Sequence, residues 1–295
     1  MKKGQILLLL FLILSVSQIY AQSYSFEKSS FVYKQVEGSS LEMTMYFPQV
    51  PGNLKLPAIV FFFGGGWVSG TTTHFQMQAE YLASRGIIAI CPDYRTKNSH
   101  NTSPFECVKD ANSAMRYLKI NGSQMGIDTS KIVTAGGSAG GHLAACTALI
   151  DDINEESDLL SVSPKPFALV LYNPVVDTGK RGYGSKKVEG REFDISPVHH
   201  IASGVPPTLI MHGKADETVP YENVLRFKQI MKQVGNECTL KGYRKQNHGF
   251  FNFSKKPKHF KKTLLKTEAF LEDYNLLKGE SWVNKYYKKL RSKVS

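Results

Sequence analysis

The run Ile132-Val133-Thr134-Ala135-Gly136-Gly137-Ser138-Ala139-Gly140-Gly141-His142-Leu143 sets a serine between two glycines in the order G-x-S-x-G. β-Prone residues precede it, and a helix-forming run, 143–150, follows. That order predicts a strand, a very tight turn and a helix, with the serine on strained backbone and its hydroxyl projecting outward. Glycine at Gly136 and Gly140 lets strand and helix close on each other where a Cβ would clash. The helix N-terminus faces the serine and suits developing negative charge. The chemistry that uses such parts is nucleophilic acyl transfer, which also needs a base, an orienting carboxylate and backbone donors. A glycine-rich turn can alternatively cradle phosphate, but no Lys-Ser or Lys-Thr follows these glycines, which argues against a Walker-type loop.

The base expected is His248, in Gln246-Asn247-His248-Gly249-Phe250, on a loop after the last predicted strand. His142 stands four residues after Ser138 on the helix that leaves the turn, where it is aimed away from the hydroxyl, so it reads as packing. His199 and His200 have no acidic or Cys neighbours at metal-binding spacing, and no metal is expected. Asp216 is the expected carboxylate, at the tip of the turn that follows His212; Glu217 is the adjacent rival. A plain turn or cap role is the bland alternative for Asp216. Gly64, Gly65 and Gly66 follow an apolar run, so their amides can face the serine, and the Ala139 N–H is the second expected donor. The chain order Ser138, Asp216, His248 is the order found in α/β-hydrolases.

These residues need elements to hold them. Residues 31–36 and 41–47 predict a hairpin around Gly38, and Pro48 ends its second strand. Further strands are predicted at 58–63, 86–91, 131–135, 167–172, 207–212 and 238–243. Helices are predicted at 74–84, 104–121, 139–150, 221–234, 260–275 and 282–290, with 96–103 a polar loop. Strands that alternate with helices argue for a mostly parallel sheet covered on both faces, whose ligands bind beyond the strand C-termini. Residues 173–205 carry Gly, Pro, Lys and Arg with little periodicity and are long for a connection, so they read as a polar insertion near those strand ends.

The chain has 295 residues and a formal charge of +12, with much of the excess after Lys255. Neither zinc-finger spacing nor an RNA-binding aromatic signature accompanies this charge, and no nucleic-acid partner is expected. Met1-Lys2-Lys3, an apolar stretch at 6–16 and Ala21 read as a signal peptide over 1–21, followed by a single domain over 22–295. The apolar stretch is short for a membrane span, and a secreted or periplasmic location is expected. Cys91, Cys107, Cys146 and Cys238 show no C-x-x-C spacing; buried free thiols are expected for most of them, and no pairing is assigned.

The stretches FGGGW (63–67), PDYR (92–95), AGGSAGGHLA (135–144), MHGKADETVP (211–220) and NHGF (247–250) make the chain resemble the hormone-sensitive-lipase-like esterases of the α/β-hydrolase fold. It is similar especially to secreted bacterial carboxylesterases and acetyl-xylan or feruloyl esterases. The resemblance implies nucleophile Ser138, acid Asp216, base His248 and oxyanion amides at Gly65, Gly66 and Ala139, with no cofactor. One position departs: the family usually has His before the glycines, and this chain has Phe63. That His normally braces the glycine loop by hydrogen bonds, so the departure bears on loop geometry and not on the triad. The expected activity is serine carboxylesterase action on short acyl groups, acetyl first, on polysaccharide or oligosaccharide. A generalist short-chain esterase or lipase, a serine peptidase of the same fold and a non-catalytic binding protein are the alternatives. Intact Ser, Asp and His argue against the last.

Overall fold

The structure is a computed structural model that describes residues 23–36, 38–188 and 190–293. The predicted signal peptide lies outside the described residues. The strands are β1 (Phe26–Val36), β2 (Ser39–Pro48), β3 (Leu56–Phe62), β4 (Ile88–Pro92), β5 (Ile127–Gly137), β6 (Ala168–Tyr172), β7 (Thr208–Gly213) and β8 (Cys238–Tyr243). They form one eight-stranded sheet in the order β1-β2-β4-β3-β5-β6-β7-β8. β1 and β2 pair antiparallel, as do β2 and β4, and every other pairing is parallel.

The helices are α1 (Gln76–Ser84), α2 (Lys97–His100), α3 (Pro104–Asn121), α4 (Ala139–Leu149), α5 (Tyr221–Gln233), α6 (Pro257–Asp273) and α7 (Val283–Ser292). The central strands are apolar along their length because both faces are covered. Ala58, Val60 and Phe62 of β3 pack on the face that carries α3, α4 and α5. Ile59 and Phe61 point the other way, into the layer of α1, α6 and α7. Each buried Val, Ile or Phe side chain among these contributes roughly 1.5–3 kcal/mol. The edge strand β8 alternates between half-buried and exposed positions, as a strand with one solvated side does. In α7, Val283, Tyr286 and Leu290 are buried while Lys285, Lys288 and Lys289 are exposed, so much of the C-terminal charge is a solvated face of an amphipathic helix.

The structure departs from expectation in three places. Residues 97–100 form the single turn α2, because Thr96 and Ser99 make a reciprocal cap. The helix expected from residue 74 begins as a 3-10 turn over Thr72–Phe75 before α1. Residues 173–205 contain only short 3-10 turns, yet Val175, Val176, Val188, Ile195 and Val198 are buried, so this polar-looking insertion is packed down on an apolar underside. All four cysteines are free; three are buried and Cys238 is partly so. Away from the strand ends, the fully buried Asp110 of α3 anchors an ion network with Lys34, Arg95 and Glu155. No helix among the described residues is long and apolar enough to cross a membrane.

Candidate active site

Ser138 sits between β5 and α4 with φ 56° and ψ −121°, a conformation L-residues avoid. The flanking glycines make the turn possible. A Cβ on Gly136 would lie 2.3 Å from Gly140 O, and one on Gly140 would lie 2.1 Å from Phe62 O. Trp67 (φ 61°) and Asn173 (φ 34°) are also in positive-φ backbone, each just beyond the C-terminal end of a sheet strand.

The structure brings Ser138, His248 and Asp216 together. Ser138 Oγ is 2.8 Å from His248 Nε2, and His248 Nδ1 is 2.8 Å from Asp216 Oδ2. Asp216 Oδ1 accepts from the backbone N–H groups of Thr218 and Val219, both at 2.9 Å. Burial pushes the Asp216 carboxyl upward, but hydrogen bonds from His212, His248 and the Val219 N–H outweigh it and hold the group well below the usual carboxylate range. Asp216 is thus ionised, and His248 donates its Nδ1–H to it. That leaves Nε2 free to accept from the serine hydroxyl. Glu217, the rival at the next position, is exposed.

Gly65 and Gly66 lie on the loop that follows β3, and Ala139 opens α4 beside Ser138. The loop that carries the first two is fastened at several points. Tyr94 stacks on Phe63 at 4.0 Å between ring centroids, and its hydroxyl donates to Phe63 O at 2.8 Å. His74 Nδ1 accepts the Gly64 N–H at 2.9 Å. Trp67 Nε1 donates to His142 Nδ1 at 3.3 Å, and His142 Nε2 donates to Ile195 O at 2.6 Å. Burial lowers the His142 pKa to about 4, partly opposed by the Ile195 hydrogen bond, so the ring is neutral and can accept. Lys187, from the insertion, donates to Gly66 O at 3.0 Å. The loop with Phe63 in place of His is held by Tyr94, His74, His142 and Lys187, all four outside the G-x-S-x-G and glycine-loop motifs.

Four residues of the site had no assigned role in the sequence. Asn173 Oδ1 accepts the Gly249 N–H at 3.0 Å and so holds the residue after His248. The buried His212 has its Nε2 2.9 Å from Val219 O and 3.3 Å from Asp216 Oδ2. His74 Nε2 lies 2.9 Å from Asn252 Oδ1. Asn173 and His212 carried one usable signal, a polar residue at the C-terminal end of a parallel strand. His74 and Asn252 carried none, being 178 positions apart. Among the described residues, no group of three or more His, Cys, Asp or Glu is placed to hold a metal ion.

The BD-FAE family pattern matches residues 43–178. The isoprenylcysteine alpha-carbonyl methylesterase ICME of Arabidopsis thaliana is 32% identical over 255 residues, which is 77% of this chain and 58% of that protein. The acetylxylan esterase of Xylanibacter ruminicola is 26% identical over 226 residues, 71% of this chain and 43% of that one. The chain thus spans about half the length of these curated relatives. Among solved structures, Thermogutta terrifontis esterase 2 phosphoramylated by tabun matches with a TM-score of 0.82 at 39% identity, covering 87% of this chain and 97% of that chain. With the eight-stranded sheet and the Ser138 turn already in place, these matches make the chain a member of the esterase family of α/β-hydrolases, with its BD-FAE likeness over residues 43–178.

Proposed function

We propose that the chain is a secreted serine carboxylesterase that cleaves short acyl esters, acetyl first, from polysaccharide or oligosaccharide. The observation that carries the chemistry is the continuous line from Asp216 through His248 to the Ser138 hydroxyl, with 2.8 Å at each step. Ser138 Oγ attacks the ester carbonyl as its proton passes to His248 Nε2. The Asp216 carboxylate stabilises the imidazolium, and the amides of Gly65, Gly66 and Ala139 receive the oxyanion. His248 then protonates the departing alkoxide. Water, deprotonated by the same imidazole, hydrolyses the acyl-enzyme.

Short acyl groups are supported by Thermogutta terrifontis esterase 2, whose structure is known with propionate and with butyrate bound. A carbohydrate leaving group is supported by the acetylxylan esterase relative and by Lys180, Arg181 and Lys186, which stand exposed on the insertion. Lys187 and Arg191 are partly engaged already, with Gly66 O and with Asp194. Secretion is supported by the composition of residues 1–21. The propionate and butyrate complexes equally favour a second reading, a generalist short-chain carboxylesterase. kcat/KM across acetyl, butyryl and octanoyl p-nitrophenyl esters, with acetate release from acetylated xylan in parallel, separates the two. Acetyl preference with acetate release is expected. Octanoyl preference without release overturns the proposal.

A further inference from the structure

The two working loops of the site come from opposite ends of the chain. The amides of residues 64–66 follow β3, and His248 follows β8. Their relative position decides whether the oxyanion donors and the base address one carbonyl, and a misplacement of about 1 Å can lower a rate roughly 100-fold. We infer that His74, acting through Asn252, is a positioning residue that holds the oxyanion loop and the His248 loop in one register. This rests on the esterase reading above and extends it to a residue outside the triad.

Four observations carry it. A Cβ built on Gly64 would meet Gly137 O at 2.7 Å, His74 Cε1 at 3.2 Å and Ser138 Cβ at 3.4 Å, so the loop lies against both His74 and the nucleophile turn. The Gly64 N–H donates to His74 Nδ1 at 2.9 Å, so that nitrogen carries no proton. The neutral ring therefore has its hydrogen on Nε2, aimed at Asn252 Oδ1 2.9 Å away. Asn252 Nδ2 in turn donates to the carbonyl of Gly249, the residue after His248, at 3.1 Å. Donor and acceptor directions agree along the whole line from Gly64 to Gly249. The ring itself packs beside the stacked pair Phe75 and Phe251, whose centroids lie 4.9 and 5.7 Å from its own.

The line works only with a neutral imidazole, because a proton on Nδ1 would face the Gly64 N–H. Burial lowers the His74 pKa; the Asn252 hydrogen bond raises it, and Lys255 and His248 lower it further. Other charged side chains on the cavity bordering the ring are Glu80, which accepts from Gln76, and Arg291 and Lys293.

The test uses the full chain and p-nitrophenyl acetate. His74→Leu should lower kcat by roughly 100-fold, the scale of one misdirected oxyanion donor, with KM within about twofold. His74→Gln, whose amide can accept from Gly64 and donate to Asn252, should recover most of that loss. Asn252→Asp keeps the acceptor towards His74, loses the donor to Gly249 O and sets a negative charge beside the ring. It should move the acid limb of the kcat profile up by about one pH unit, and the shift should vanish in the His74→Gln/Asn252→Asp double variant. A folded His74→Leu with wild-type kcat, a loss that His74→Gln fails to recover, or an acid-limb shift that persists in the double variant overturns the inference. Should His74→Leu not fold, the Asn252→Asp pair decides. A wild-type chain with no Ser138-dependent hydrolysis sinks the esterase reading instead.

Discussion

Asp110 and Asp216 are both carboxylates withdrawn from water, and their partners differ in kind. Asp110 meets formal cations: Lys34 Nζ at 2.7 Å and the Arg95 guanidinium at 2.8 Å. Its charge is neutralised within its own network, which pins β1 to α3 and to the loop carrying Glu155. Asp216 meets dipoles: two backbone N–H groups at 2.9 Å and imidazole nitrogens at 2.8 and 3.3 Å. These hold the carboxylate ionised without cancelling its field, which remains available for a proton arriving on His248. The same residue type, equally buried, serves structure when paired with cations and catalysis when held by neutral donors.

Substitution at the two sites should therefore fail in different observables. Asp216→Asn should lower kcat about 10⁴-fold by favouring the wrong imidazole tautomer, with a much smaller effect on unfolding free energy. Stopped-assay kinetics and urea denaturation on one preparation check both halves. Asp110→Asn should do the reverse. It leaves Lys34 and Arg95 short of a buried counter-charge and should destabilise by about 3–5 kcal/mol, while kcat per folded molecule stays within about twofold. A rate loss in folded Asp110→Asn, or an active Asp216→Asn, would erase the contrast.

Smaller effects sharpen it. The His142 ring is buried neutral, with its pKa lowered from 6.5 to about 4. Between those values the unfolded chain binds the proton that the folded chain refuses, so stability falls as pH drops from about 6.5 towards 4. The contribution of this ring is ~3 kcal/mol when complete, and His142→Phe should flatten the slope of unfolding free energy against pH. The half-buried His74 adds in the same direction, so some slope should remain. Smallest of all, the exposed Glu217 should tolerate Gln with kcat within about twofold. A crippled Glu217→Gln would move the orienting acid one residue along.

Much of this was legible because it is local. The tight turn at Ser138 is written in Gly136 and Gly140, whose Cβ positions are occupied by backbone oxygen. The buried strands are written in continuous apolar runs such as Ala58 to Phe62, and α3 in apolar residues at helical spacing, Val108, Ala111, Met115 and Leu118 among them. What stayed hidden depends on partners far away in the chain. His74 reads as an ordinary residue at a helix start, and only the fold sets it between Gly64 and Asn252. Phe63 reads as the loss of a brace, yet its ring stacks on Tyr94 while neighbouring side chains take the loop's polar groups. The polar insertion conceals a buried underside because its apolar residues, Val175, Val188 and Ile195 among them, follow no helix or strand period.

Reaction of the wild-type chain with a fluorophosphonate, followed by peptide mass mapping, tests most directly whether Ser138 is the activated nucleophile. A single adduct on Ser138 is expected, absent from Ser138→Ala and formed at least about 100-fold more slowly in His248→Ala, which lacks the general base. An adduct on a different residue, or undiminished ester hydrolysis by a folded Ser138→Ala, would contradict the assignment.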